Sequence, residues 1–125
     1  MVMKFNPNLK QDLEKFKSYS IIVEGKKDVA VLKNYGFEKV YAIHATGVPI
    51  RERVEQIALE IDKKDKVCIL TDLDKKGKKL YLLVKPMFQE LGFHLDSSLR
   101  GILIKSQISH IEGLSNFLDK VENIG

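Results

Sequence analysis

The chain has 125 residues with one cysteine, 44% hydrophobic and 30% charged residues, and a formal net charge of +4. This length favours one domain with a core of its own. The sequence has no long apolar run, which argues against a membrane span, and no signal-peptide pattern at its start. A single cysteine can form neither an internal disulfide nor a cysteine zinc site. We therefore expect a cytoplasmic protein. The mild basicity is compatible with a nucleic-acid partner without requiring one.

Apolar periodicity predicts helices and strands in alternation. A helical lead-in occupies residues 1–18, with Asn8 as the candidate cap of a short helix. Predicted strands cover residues 21–23, 39–43, 67–70 and 102–104. Predicted helices cover residues 26–35, 49–61, 78–91 and 115–121, and Pro86 is expected to kink or break the helix at 78–91 near residues 82–85. This order predicts an α/β fold with a central, mainly parallel four-stranded sheet between helical layers.

The strand at residues 67–70 leads directly into two carboxylates, Asp72 and Asp74. In an extended chain, residues two apart point the same way, so both side chains would face one place beyond the strand end. Close like charges repel, and a divalent cation such as Mg²⁺ compensates them with few protein ligands. Turn and helix-cap roles explain these aspartates equally well when they are taken alone.

Glu24 follows the strand at residues 21–23 and precedes Gly25. In a parallel sheet the working site lies at the carboxyl ends of the strands, so Glu24 and the aspartate pair can meet although they are far apart in sequence. Taken alone, an exposed glutamate before a glycine is usually only solvated.

Together, the segments Val23-Glu-Gly25 and Thr71-Asp-Leu-Asp-Lys-Lys-Gly77 resemble the Toprim domain. The run from Glu24 to Val29 is most similar to the branches of the ribosomal-RNA maturase and the bacterial-type primases. The resemblance implies a Rossmann-like three-layer sandwich. In this chain the Toprim domain would cover residues 19–125 and include a C-terminal helix.

The same resemblance implies roles for three acids. Glu24 would act as general acid or base, and Asp72 and Asp74 would hold Mg²⁺, or Mn²⁺ in its place. The implied function is Mg²⁺-dependent cleavage or transfer of phosphodiester bonds in RNA or DNA. The chain departs from the family pattern at Leu73, where many members have proline, and at Lys78, where several have an acid. Glu112 is an alternative acid from the C-terminal part.

Lysines flank both acidic segments. Lys26 and Lys27 follow Glu24, and Lys75, Lys76 and Lys78 follow Asp74. They could hold substrate phosphates beside a metal ion, and they could equally be solvated helix ends.

Two other function classes remain open. The first is a non-catalytic nucleic-acid-binding or assembly module of a larger complex, with a protein partner. The second is a phosphatase of the haloacid-dehalogenase type, which also places Asp-x-Asp after a strand. Lys76 stands where that type usually has threonine, which counts against it.

Overall fold

A four-stranded sheet between two helical layers forms the part of the chain that the computed structural model describes, residues 9–105. The strands are β1 (Ser20–Val23), β2 (Lys39–Ala42), β3 (Lys66–Ile69) and β4 (His94–Leu95). The helices are α1 (Leu9–Glu14), α2 (Lys26–Asn34), α3 (Ile50–Glu60), α4 (Lys75–Glu90) and α5 (Ser98–Lys105). All strand pairs are parallel, in the order β2-β1-β3-β4, so the predicted α/β sandwich is confirmed.

The core lies on both faces of the sheet because the central strands are apolar on both sides. In β1, Ile21 and Val23 pack with Leu13 of α1, Leu32 of α2 and Leu99 of α5. The intervening Ile22 belongs to the opposite cluster, which α3 and α4 cover. This alternation follows from the two-residue period of a strand, and runs that are apolar on both faces are typical of buried parallel strands.

The predicted strand at residues 102–104 is wrong, because this segment belongs to helix α5. Its three consecutive apolar residues suggested a strand. However, the buried residues of the segment include Leu99 and Leu103, four positions apart, which is the spacing of one helix face. The fourth strand is instead the two-residue β4, which pairs with β3.

Helix α4 also differs from its prediction. It begins at Lys75 rather than near Lys78, because Asp74 caps it, and it runs through Pro86 without a break. Proline removes the hydrogen bond to the carbonyl of Leu82. Both residues lie on the exposed side of the helix, where water can hydrogen-bond that carbonyl instead.

None of the helices within residues 9–105 combines the length and the apolar character that crossing a bilayer requires. The predicted helix at residues 115–121 and the alternative acid Glu112 fall outside the described residues.

Candidate active site

The ends of β1 and β3 bring the predicted acids together. After β1 the chain continues to β2 on one side of the sheet, and after β3 it continues to β4 on the other side. The crevice between the neighbouring strands β1 and β3 is therefore the switch point of the sheet. Ile22 pairs with Ile69 in the register, and Glu24 and Asp72 follow these strands. A Glu24 carboxylate oxygen accepts a hydrogen bond from the backbone N–H of Asp72 at 3.2 Å. Residues 48 positions apart are thus in direct contact.

The surroundings of Glu24 favour its protonated form. Burial raises the pKa of its carboxyl group, and the negative charges of Asp72, Asp74 and Asp28 raise it further. The hydrogen bond from Asp72 opposes this shift because it stabilises the charged form. A carboxyl group with a raised pKa can exchange a proton closer to neutral pH than an ordinary glutamate.

Asp74 does not continue the geometry of β3, which ends at Ile69. It is the N-cap residue of α4, and its carboxylate accepts a hydrogen bond from the N–H of Gly77 at 2.7 Å. The cap role considered from the sequence is therefore real. It does not exclude a second role, because an ionised carboxylate has about four lone-pair sites.

Gly77 is required by the close approach of α4 to the strand end. A Cβ atom built on Gly77 would lie 1.9 Å from the carbonyl oxygen of Asp72, so any side chain there would force the backbone to shift. The Gly77 carbonyl also accepts the hydroxyl hydrogen bond of Thr71 at 2.7 Å. This packing fixes the segment that carries Asp72 against the first turn of the helix.

Asp28 and Arg100 were missed by the sequence analysis. Asp28 lies in the first turn of α2 and accepts a hydrogen bond from the N–H of Gly25 at 3.3 Å. Its position four residues after Glu24 was the signal that could have identified it.

Arg100 lies behind the acids and is 8% exposed. Its guanidinium donates to the carbonyl oxygen of Thr71 at 2.6 Å and to the Thr71 hydroxyl at 3.3 Å, and it lies 4.3 Å from the centre of the Tyr81 ring. Burial lowers its pKa, whereas the charges of Tyr81, Asp72 and Glu24 raise it. A single arginine inside the apolar run from Leu99 to Ile104 was the available signal.

The donors at this edge suit a hard cation. Within residues 9–105, no three side chains of histidine, cysteine, aspartate or glutamate form a cluster that could hold a metal ion by themselves. Mg²⁺ does not need such a cage, because it usually binds one or two carboxylates and completes its shell with water and substrate phosphates. The carboxylates of Asp72 and Asp74, whose charges act on the Glu24 carboxyl group, fit that pattern.

The lysines named from the sequence are exposed at the starts of two helices. Lys26 and Lys27 begin α2 and line an open groove of about 620 Å³ together with Glu24 and His44. Lys75, Lys76 and Lys78 lie in the first turn of α4, beside the Asp74 cap. Both groups therefore lie next to the acids along the chain.

His44, Cys68 and Arg53 have different surroundings. His44 is exposed, and its backbone N–H donates to the carbonyl of Glu24 at 2.9 Å. Cys68 is buried, and this burial raises the pKa of its thiol to about 12, in agreement with an inert core residue. The Arg53 side chain donates to the carbonyl of Ala42 at 2.8 Å.

Similar proteins include enzymes of nucleic-acid metabolism. A UPF0292 protein of Methanosarcina barkeri is 30% identical over 106 residues, covering 81% of this chain and 70% of that protein. DNA primase DnaG of Methanocella arvoryzae is 35% identical over 69 residues, 55% of this chain and 12% of the primase. Ribonuclease M5 of Mesoplasma florum is 38% identical over 60 residues, 48% of this chain and 34% of the ribonuclease.

A solved structure of a protein from Aquifex aeolicus has a TM-score of 0.69 and 29% identity to this chain, and the match covers 84% of this chain and 94% of that one. The Toprim domain family matches residues 20–112, which include Glu24, both aspartates and Arg100. The resemblance to this domain, with a primase and a ribonuclease among the relatives, is confirmed. The chain belongs to the Toprim domain family.

Proposed function

We propose that this protein cleaves or transfers phosphodiester bonds in nucleic acid with the help of a divalent cation. The observation that carries the proposal is the contact of Glu24 with the Asp72 backbone, in a place where the charges of Asp72 and Asp74 act on the Glu24 carboxyl group. The similarity to a DNA primase and a ribonuclease supports a role in nucleic-acid processing.

Asp72 and Asp74 would hold the cation, and Toprim domains generally bind Mg²⁺. When bound, the ion would neutralise charge on a phosphate oxygen. Glu24 would hold or release a proton at its carboxylate, beside the oxygen that attacks or leaves. Its raised pKa suits this task, because the group is then partly protonated nearer the pH at which the reaction runs.

The exposed lysines would bind the substrate phosphates on either side of the acids. The first turn of α4 contains Lys75, Lys76 and Lys78 and no acidic residue. Positive charges at a helix N-terminus oppose the helix dipole and lower stability. An arrangement that costs stability in the free protein becomes favourable when a phosphate lies between the lysines and the helix end.

The test is incubation of labelled RNA, single-stranded DNA and duplex DNA with and without Mg²⁺ or Mn²⁺. We expect cleavage that EDTA abolishes. Glu24→Gln removes the proton-transfer group and should reduce the rate by at least about 100-fold, the usual scale for such a group. Asp72→Asn removes a ligand of the cation and should also reduce the rate strongly. Asp62→Asn is the matched control, because Asp62 is an exposed aspartate that accepts a backbone hydrogen bond from Lys64. Equal rates for the wild type and the Asp72 and Glu24 variants would contradict the proposal.

A second candidate is a nucleic-acid-binding or assembly module without catalytic activity. It is favoured by the exposed lysines at the starts of α2 and α4, which can bind phosphates whether or not a metal ion is present. Binding without cleavage in the same assay would support it. Release of phosphate from small esters would instead indicate a phosphatase.

A further inference from the structure

We propose that Arg100 is the positioning residue of the acid cluster and that it acts through a single peptide group, the one between Thr71 and Asp72. This inference rests on the proposed function, because it concerns the same acids. Nothing in the family resemblance or in the sequence pattern assigned a role to this arginine.

The geometry of that peptide group carries the inference. Its carbonyl oxygen, from Thr71, accepts a hydrogen bond from Arg100 at 2.6 Å. Its N–H, from Asp72, donates to Glu24 at 3.2 Å. In a trans peptide the C=O and N–H bonds point in opposite directions, so the plane is held from both sides. Arg100 and Glu24 therefore hydrogen-bond to opposite ends of the same rigid peptide group, and the Asp72 side chain is attached to that group.

Arg100 is well placed to hold this unit still. It is 8% exposed, and its guanidinium packs 4.3 Å from the centre of the Tyr81 ring. A second contact, to the Thr71 hydroxyl, continues through that hydroxyl to the Gly77 carbonyl at 2.7 Å. The Gly77 N–H in turn binds the Asp74 carboxylate. One buried side chain is thus connected to all three proposed site acids through these hydrogen bonds and the backbone of Thr71, Asp72 and Gly77.

A role in positioning and a role in charge balance predict opposite results. If Arg100 only offset negative charge, its removal would make the cluster more negative, and a cation would bind more tightly. If Arg100 orients the Thr71–Asp72 peptide, its removal frees that peptide to rotate, and a cation binds more weakly. Loss of groups that orient metal ligands typically lowers affinity by about 10- to 100-fold.

The experiment measures Mn²⁺ binding by electron paramagnetic resonance in the wild-type protein and in the variants Asp72→Asn, Arg100→Gln and Arg100→Lys. We expect Arg100→Gln to weaken Mn²⁺ binding about 10-fold or more. Arg100→Lys keeps the charge but not the planar guanidinium that packs on the Tyr81 ring, so it should recover only part of the affinity. Arg53→Gln is the matched control, since it removes another arginine that binds a backbone carbonyl, that of Ala42, and it should bind Mn²⁺ like the wild type.

Amide hydrogen exchange at Asp72 gives a second readout, which does not depend on a metal. We expect faster exchange in both Arg100 variants than in Arg53→Gln, and Arg100→Lys carries the test if Arg100→Gln does not fold. Tighter or unchanged Mn²⁺ binding in the Arg100 variants, while Asp72→Asn still abolishes it, would overturn this inference alone. A wild-type protein that does not bind Mn²⁺ would overturn the proposed function together with the inference.

Discussion

The acids and the lysines of this site are held in contrasting ways. Glu24 is half-buried and contacts the Asp72 backbone, and the segment around Asp72 is fixed by Gly77 and Arg100. The lysines at the starts of α2 and α4 are exposed. We therefore expect the function of the first region, Glu24 and Asp72, to depend on the placement of single atoms, and that of the second region, the lysines, to depend on their summed charge. We expect mutations to be severe and specific in the first region, and mild and salt-dependent in the second.

The largest effect is expected from Gly77→Ala. The added methyl group would meet the Asp72 carbonyl at 1.9 Å, so the segment must shift. Overpacking typically costs about 1–3 kcal/mol, and we expect a loss at or above the upper end of this range, because the obstacle is backbone. Gly101→Ala is the control, because this helical glycine has open space around it and should gain up to about 1 kcal/mol from helix propensity. Chemical denaturation of both variants tests the contrast, and equal stabilities would contradict it.

The two roles of Asp74 can be separated by a pair of substitutions. Asp74→Ala removes the cap of α4 and should lower the free energy of unfolding by about 1 kcal/mol. Asp74→Asn keeps a cap oxygen for the Gly77 N–H but removes the charge, so it should preserve stability while reducing Mg²⁺-dependent activity. Thermal unfolding and the cleavage assay distinguish the pair. Full activity in Asp74→Asn would show that Asp74 serves only as a cap.

The raised pKa of Glu24 predicts a pH-dependent stability. Because burial raises this pKa in the folded state, the folded protein binds the proton more tightly than the unfolded chain does. The contribution of Glu24 to stability is therefore largest below the ordinary glutamate pKa and falls as the pH rises through the raised value. Glu24→Gln should raise the melting temperature at pH 7 relative to the wild type, and the difference should shrink near pH 4. A difference that does not change with pH would contradict this explanation.

The smallest effects are expected at the exposed lysines at the starts of α2 and α4. Lys76→Gln removes a positive charge from the first turn of α4 and should stabilise the protein by about 0.3–1 kcal/mol at low salt. The same change should weaken nucleic-acid binding and reduce the slope of log K against log salt by about 1. Lys33→Gln is the control, because Lys33 lies in the last turn of α2, where a positive charge is favourable. A salt slope that does not change in Lys76→Gln would remove this lysine from the interface.

The sequence was informative where one simple periodicity dominates. The strands around Ile22 and Ile69 could be predicted because apolar runs bounded by polar residues leave few alternatives. The proximity of Glu24 to Asp72 followed from the general behaviour of parallel sheets. The prediction of a strand at residues 102–104 was wrong, because three apolar residues in a row fit a strand as well as a helix.

The atomic supports of the site could not be predicted. The role of Arg100 depends on where α5 places it relative to the Thr71 carbonyl, which is a tertiary contact without a local pattern. The need for Gly77 arises from the approach of α4 to Asp72, which is a tertiary contact that no local pattern shows. Asp74 was ambiguous because a cap and a metal ligand require the same side chain.

The most direct measurement is a double-mutant cycle on the rate of divalent-cation-dependent cleavage, with Glu24→Gln, Asp72→Asn and the combined variant. Groups that act as one unit are strongly non-additive, because losing either one already disables the unit. We therefore predict that the double variant is no slower than the slower single variant, within about threefold, a difference of about 0.65 kcal/mol in activation free energy. Losses that multiply, each variant acting independently, would contradict a shared active site at the ends of β1 and β3.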